Sequence, residues 1–172
     1  YRKRKKKIIQ KKKGFKFGTD AVLLSDFASE IHSESILDLC TGTGIVALLL
    51  SAKTNAERIC AIEIQEDIAG MAQRSVEMNG LDKRIFIKCA DLKTCVSDYG
   101  KRSFGLVTCN PPYMRAGAGV PNESDSKLVS RHEVMCTLED VIRIASGLVS
   151  VSGHFVMVHR PSRLCDAMYL MR

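Results

Sequence analysis

Short apolar runs alternate with amphipathic helical patterns along the chain. The runs are continuously apolar, which is typical of strands in a sheet covered on both faces. They predict strands at 35–40, 58–64, 85–89, 104–109 and 153–159. Apolar side chains at helical spacing predict helices at 19–31, 45–52 and 66–79, another from Thr137 to about Ser150, and a last one opened by Pro161. This alternation predicts an α/β fold with a doubly wound, mostly parallel sheet.

Local signals mark the ends of several elements. Thr19 or Asp20 is suited to be the N-cap of the first helix, and Thr137 with Asp140 forms a possible capping box. Residues 114–130 are rich in Gly, Ser, Asn and charge, and therefore predict a long loop.

The length and composition fit one soluble globular domain. The chain has 172 residues, of which 45% are hydrophobic and 26% charged. No apolar run approaches the roughly 20 residues of a membrane span. The visible N-terminal stretch is basic and lacks the apolar segment of a secretory signal, which predicts a cytoplasmic protein.

Positive charge is concentrated at the N-terminus. Residues 1–16 contain ten Lys or Arg and no acidic residue, whereas the rest of the chain has a net charge of −3. We therefore divide the chain into a basic N-terminal arm, 1–16, and one domain, 17–172. Such an arm suits a polyanion such as nucleic acid, although a merely solvated tail explains the charge equally well.

The seven cysteines show no spacing typical of a metal or disulfide site. Cys40, Cys60, Cys89 and Cys109 lie in or at the ends of apolar runs. We predict that they are small buried side chains in a reducing compartment, and we expect no bound metal.

A glycine-rich turn follows the first predicted strand. Gly42 and Gly44 fit the dinucleotide-binding fingerprint loosely, and Glu63 follows about 20 residues later, where an acid can bind ribose hydroxyls. A nicotinamide dehydrogenase fits this part of the chain as well. Asp38, four residues before the glycines, would repel a pyrophosphate but attract a cofactor that carries an ammonium and a sulfonium.

The sharpest motif is Asn110-Pro111-Pro112-Tyr113, directly after the fourth predicted strand. The Asn110 side-chain carbonyl and the Pro111 backbone carbonyl can accept both hydrogens of a planar NH₂ group. These bonds would aim the lone pair of a poor nucleophile. Pro112 stiffens the loop, and Tyr113 offers a flat face for stacking.

Taken together, these motifs resemble those of the S-adenosylmethionine-dependent amino-methyltransferases, a class with a Rossmann-like fold. The matching segments are Phe15-Lys-Phe-Gly-Thr-Asp-Ala-Val-Leu-Leu, Asp38-Leu-Cys-Thr-Gly-Thr-Gly, Glu63, Asp91 and Asn110-Pro-Pro-Tyr. Ile62-Glu-Ile-Gln-Glu and Arg131-His-Glu-Val-Met-Cys-Thr-Leu-Glu-Asp are similar, more narrowly, to the bacterial tRNA(Val) adenine N6-methyltransferases. The resemblance covers residues 11–172.

The resemblance implies a cofactor, a substrate and a site. S-adenosylmethionine would be bound by Thr19, Asp20, Asp38, Cys40, Thr41, Gly42, Gly44, Glu63, Ile64, Asp91, Leu92 and Asn110. The catalytic set would be Asn110, Pro111, Pro112 and Tyr113. The implied reaction is methylation of the N6 amine of an adenosine in tRNA, most simply the anticodon-loop adenosine of valine tRNA.

A second set of residues, which shares Tyr113 with the catalytic motif, is predicted to hold RNA. They are Lys11, Lys12, Lys13, Lys16, Tyr113, Arg131 and His132. Arg131 and His132 are equally well explained as solvent-exposed charges. Three alternatives stay open: a methyltransferase acting on a glutamine amide of a translation factor, another RNA or DNA adenine methyltransferase, and a non-catalytic RNA-binding domain.

The sequence departs from the family pattern at its end. The family fold usually adds a sixth and a seventh strand as an antiparallel hairpin, and no such hairpin follows the fifth predicted strand here. The apolar segment 155–158 would then form an uncovered sheet edge. We therefore expect this chain to self-associate or to be poorly soluble.

Overall fold

The computed structural model describes residues 6–11, 18–111 and 136–172. The strands are β1 (Ser35–Leu39), β2 (Arg58–Glu63), β3 (Ile85–Cys89), β4 (Phe104–Cys109) and β5 (Val149–Met157). The α-helices are α1 (Thr19–Ser29), α2 (Ile45–Lys53), α3 (Glu66–Met78), α4 (Cys95–Tyr99), α5 (Leu138–Leu148) and α6 (Leu164–Leu170), with short 3-10 helices at Leu92–Thr94 and Pro161–Arg163.

The five strands form one parallel sheet in the order β3-β2-β1-β4-β5. Strand β1 is central, with β2 on one side and β4 on the other, and the chain crosses over between β3 and β4. This arrangement confirms the predicted doubly wound α/β class. In the described sheet, β5 is an outer strand.

Helices cover both faces of the sheet, which explains why the strands are apolar throughout. On one face, Ile36 of β1 packs in a cluster with side chains of α1, α2 and α3. On the other face, Leu37 and Leu39 pack with side chains of α4 and α5. Side chains of β1 therefore contribute to two separate hydrophobic cores, one on each face of the sheet.

Two elements differ from the sequence-based predictions. Strand β5 begins at Val149 rather than at 153, because Val149 already pairs with Phe104 before the strand is interrupted by an irregularity. Ser152 has a φ of +64° in this irregular stretch. The helical pattern from Thr137 was extended to about Ser150, so the first two residues of the strand were assigned to the helix that ends at Leu148. The short helix α4 was not predicted, because one turn is too short to show a period.

The helix caps confirm one prediction and overturn another. Thr137 accepts a hydrogen bond from the Asp140 amide (3.1 Å), and Asp140 accepts one from the Thr137 amide (3.2 Å), so the predicted capping box is present. The N-cap of α1 is Gly18, in an extended conformation. The prediction of Thr19 or Asp20 was therefore wrong by one or two residues.

The predicted burial of cysteines is only partly right. Cys60 and Cys109 are buried, and Cys40 is half-buried. Cys89 is exposed, because it is the last residue of β3, an outer strand whose side chains are only partly covered. Among the described residues, no helix is long and apolar enough to cross a membrane.

Candidate functional site

The carboxyl ends of β1, β2 and β4 lie side by side at one edge of the sheet. Asp38 on β1 is in register with Ala61 on β2 and with Thr108 on β4. The turn after β1 therefore lies between the end of β2, which bears Glu63, and the end of β4, which is followed by Asn110. Such an edge is where open α/β sheets bind their ligands.

Backbone geometry explains both glycines of the turn. Gly42 has a φ of +58° and Gly44 one of +83°, a region that side chains disfavour. A Cβ on Gly44 would also lie 3.2 Å from the Cβ of Ala72 on α3. The glycines therefore allow the chain to turn sharply into α2. The small side chain of Ala72 allows α3 to pack closely against the turn at Gly44.

Cys40, the residue directly after β1, has a φ of +55° although it carries a side chain. Its side chain packs in one cluster with Cys109 and Cys136, and the nearby Cys109 thiol, together with burial, raises the pKa of Cys40 against the lowering effect of Cys136. Strain of this kind costs on the order of 1–2 kcal/mol and is concentrated at functional sites. The predicted position Cys40 is thus a strained corner of the turn.

Glu63 holds the turns after β1 and β2 together. The side chain is 6% exposed. Its Oε2 accepts a hydrogen bond from the Gly42 amide (2.9 Å), and its Oε1 accepts one from the Gln65 amide (3.0 Å). A further bond joins the Thr41 amide to the Ile62 carbonyl (2.9 Å). Each carboxylate oxygen retains capacity for another donor.

Asp38 is the most deeply buried acid of the site, at 1% exposure. Its Oδ1 accepts a hydrogen bond from the Thr108 hydroxyl (2.7 Å), and its Oδ2 accepts one from the Thr41 hydroxyl (2.5 Å). Burial raises the pKa of Asp38 to about 6, against the lowering effect of both hydroxyls, and the nearby Glu63 charge adds to the rise. Within the described residues, neither acid has a Lys or Arg partner.

Asp91 and Leu92 follow β3 at the same edge. Asp91 caps the 3-10 helix, because its carboxylate accepts a hydrogen bond from the Lys93 amide (2.9 Å). Leu92 is buried in the core. The Ala90 amide donates to the Glu63 carbonyl (3.0 Å), so the chain that leads to Asp91 is tied to the end of β2.

Five further positions of the predicted cofactor-binding and catalytic sets lie among the described residues. Ile64 is half-buried next to Glu63, and Thr19 and Asp20 lie in the first turn of α1. Asn110 is half-buried and Pro111 buried, directly after β4. Several predicted residues lie outside the described residues: Lys12, Lys13, Lys16, Pro112, Tyr113, Arg131 and His132, as does the predicted loop at 114–130.

Thr108 is a site residue that sequence reasoning missed. It is fully buried on β4, two residues before Asn110, and its hydroxyl fixes Asp38. The available signal was a hydroxyl side chain inside an otherwise apolar run. In the part of the chain that the structure describes, no group of three or more His, Cys, Asp or Glu is arranged to hold a metal ion.

The sheet order and the polar groups at its carboxyl edge define the Rossmann-like fold of the class I methyltransferases. A predicted O-methyltransferase from Agrobacterium tumefaciens shares this fold with a TM-score of 0.65 and 23% identity, covering 88% of this chain and 66% of its own. The ribosomal protein L11 methylase of Lactobacillus delbrueckii subsp. bulgaricus matches with a TM-score of 0.59 and 18% identity, covering 88% and 64%. The chain belongs to the methyltransferase small domain family, whose model matches residues 10–160.

Two curated relatives carry the same name, tRNA1(Val) (adenine(37)-N6)-methyltransferase. The protein from Porphyromonas gingivalis is 33% identical over 155 residues, which cover 87% of this chain and 60% of the relative. The protein from Flavobacterium johnsoniae is 31% identical over 152 residues, covering 88% and 63%. The chain thus spans about three-fifths of the length of these relatives.

Proposed function

We propose that the protein transfers a methyl group from S-adenosylmethionine to the N6 amine of an adenosine in tRNA, the anticodon-loop adenosine of valine tRNA. One observation carries the proposal: the acid pair Asp38 and Glu63 shares a sheet edge with Asn110-Pro111. The acids Asp38 and Glu63 suit a cationic nucleoside, and the Asn110-Pro111 segment suits an exocyclic amine. The names of the two curated relatives support adenine in tRNA as the acceptor.

The hydrogen-bond acceptors and negative charges at the edge fit S-adenosylmethionine, which supplies a methyl group on a sulfonium. Glu63 would accept both ribose hydroxyls, because its oxygens keep lone pairs after bonding to the Gly42 and Gln65 amides. Asp38 would act through its charge, because its carboxylate is only 1% exposed and is already held by two threonine hydroxyls. Gly42 leaves open space where a side chain would begin. Asp91 and Leu92 would contact the adenine ring.

Asn110 and Pro111 would prepare the acceptor nitrogen. The side-chain carbonyl of Asn110 and the backbone carbonyl of Pro111 would accept the two hydrogens of the amine, which localises the nitrogen lone pair and points it toward the methyl group. The amine nitrogen would bond to the methyl group as the S–C bond of the sulfonium breaks, with S-adenosylhomocysteine as the leaving group, and the nitrogen would release one proton to water. Tyr113 would stack on the flipped base, which is readily displaced from a single-stranded loop.

Labelled methyl transfer tests the proposal. The full chain is incubated with methyl-labelled S-adenosylmethionine and with valine tRNA that lacks the modification. We expect label in N6-methyladenosine, and no label in a matched tRNA in which guanosine replaces the target adenosine. A translation factor with an acceptor glutamine is the second control. Label in that protein but not in the tRNA would refute the proposed substrate.

A further inference from the structure

Residues 6–11 of the basic arm lie along helix α3, and we call this segment the strap. The Lys7 amide donates to Asn79 Oδ1 (3.0 Å), and Asn79 Nδ2 donates back to the Lys7 carbonyl (2.7 Å). The Ile9 amide donates to the Ser75 hydroxyl (2.9 Å). These bonds join the backbone of the strap to side chains about 70 positions away in sequence.

The contacts place the strap antiparallel to α3. Lys7 meets Asn79 just beyond the end of the helix, Ile9 meets Ser75 inside it, and Lys11 pairs with Asp67 in its first turn. Two strap residues in extended form span about 6–7 Å, close to the rise of roughly 6 Å over four helical residues. The strap therefore leads from the far end of α3 to the sheet edge where α3 begins, three residues beyond the end of β2.

The strap is packed and not merely tethered. Ile8 packs against the core cluster formed by α1, α2 and α3. Lys6, Lys7 and Lys11 are exposed. The Lys11 ammonium also lowers the pKa of Asp67 through its hydrogen bond, and it offsets an acidic charge at the end of α3 nearest the site. The strap thus presents cations outward on a fixed backbone.

We propose that the strap is a phosphate-binding surface for the nucleic-acid substrate, held in place by Asn79 and Ser75 as positioning residues. This inference rests on the proposed function, since it names where the RNA backbone is bound. A cationic segment fixed along α3 loses less conformational freedom on binding than a free tail of the same charge. We therefore expect the docked strap to increase the affinity for RNA. The strap itself would not contact the reacting atoms.

The first test compares Asn79→Ala with Gln73→Ala in the full chain. Asn79→Ala removes both bonds to Lys7, whereas Gln73 lies on α3 and its side chain, within the described residues, is bonded to Glu77 and not to the strap. We expect Asn79→Ala to weaken binding of unmodified tRNA about tenfold, with Gln73→Ala unchanged. The dissociation constant of S-adenosylhomocysteine and kcat at saturating tRNA should stay within twofold of wild type, so that the effect lies in KM.

Asn79 also bonds to the Ser75 carbonyl at the end of α3, so a second variant separates docking from helix stability. Ser75→Ala removes the acceptor of the Ile9 amide, and Ala fits the buried position. Hydrogen exchange at the Lys7 and Ile9 amides reports strap release directly. We expect faster exchange at Ile9 in Ser75→Ala together with weaker tRNA binding.

The outcomes separate the two proposals. Released strap amides with unchanged tRNA affinity overturn the strap inference alone. A wild-type chain that binds no tRNA overturns the proposed RNA substrate, and the strap inference with it.

The salt dependence of binding tests the strap lysines directly. The double substitution Lys6→Gln with Lys7→Gln should reduce the steepness of the plot of log association constant for tRNA against log salt concentration by roughly 1.5. An unchanged slope would likewise contradict phosphate binding by these lysines.

Discussion

The Glu63 carboxylate accepts a hydrogen bond from the Gly42 amide, with 2.9 Å between Oε2 and the nitrogen. This bond joins two turns that are 21 positions apart in sequence, and it orients the acid while leaving lone pairs for a ligand. The glycine turn and the acid thus form one unit, in which each fixes the other before any ligand arrives.

Glu63→Gln tests that unit. The amide side chain has one acceptor oxygen, so one of the Gly42 and Gln65 amides loses its partner, at a cost of about 1–3 kcal/mol. The lost charge also weakens bonds to ribose hydroxyls. We expect a lower thermal midpoint and at least about tenfold weaker S-adenosylhomocysteine binding by calorimetry. Glu66→Gln, at an exposed position in the first turn of α3, is the control and should leave both values unchanged.

Asp38→Asn should stabilise the ligand-free protein at neutral pH. Because the folded-state pKa is raised from 3.8 to about 6, the wild-type contribution is present below pH 4 and is lost as the pH rises through 6. The loss amounts to about 3 kcal/mol, which the variant avoids. Urea unfolding at pH 4.5 and pH 8 should therefore show that the advantage of Asn over Asp grows with pH. The exposed Asp82→Asn is the control, and a variant less stable than wild type at pH 8 would contradict the account.

The strands and the acids of the site can be predicted from the sequence, but several of the contacts between them cannot. Apolar runs sufficed for β1 to β4, because each is short, buried and bounded by polar residues. The start of β5 was missed because the helical pattern that begins at Thr137 was extended to about Ser150, across the first two residues of the strand. The bond between Asp38 and Thr108 joins residues 70 positions apart, and no local pattern encodes it. The docking of the strap depends in the same way on Asn79 and Ser75, which were predicted only as members of the helix at 66–79.

Cys40→Gly should be more stable than Cys40→Ala by about 1 kcal/mol. Both variants remove the thiol contacts with Cys109 and Cys136, so these losses cancel in the comparison. Only Ala retains a Cβ at a φ of +55°, where L-residues are disfavoured. Denaturant midpoints with equal slopes would measure the difference. Equal stabilities of the two variants would show that the turn relaxes and that Cys40 stores no strain.

Asn110→Ala tests the acceptor side of the site. Under the proposed function, the side-chain carbonyl of Asn110 contacts the amine mainly as the N–C bond forms, so its removal should lower kcat. Loss of one such bond costs roughly 100- to 1,000-fold in rate. S-adenosylhomocysteine binding should be largely retained, because Asn110 is only one of the predicted cofactor contacts and Glu63, Asp38 and the glycine turn are untouched. Asn55→Ala, at an exposed position before β2, is the matched control and should behave as wild type. Asn79→Ala provides the opposite pattern, since it should raise KM for tRNA and spare kcat. If Asn110→Ala retained wild-type turnover, or if it abolished cofactor binding, Asn110 would not have the role assigned to it at the end of β4.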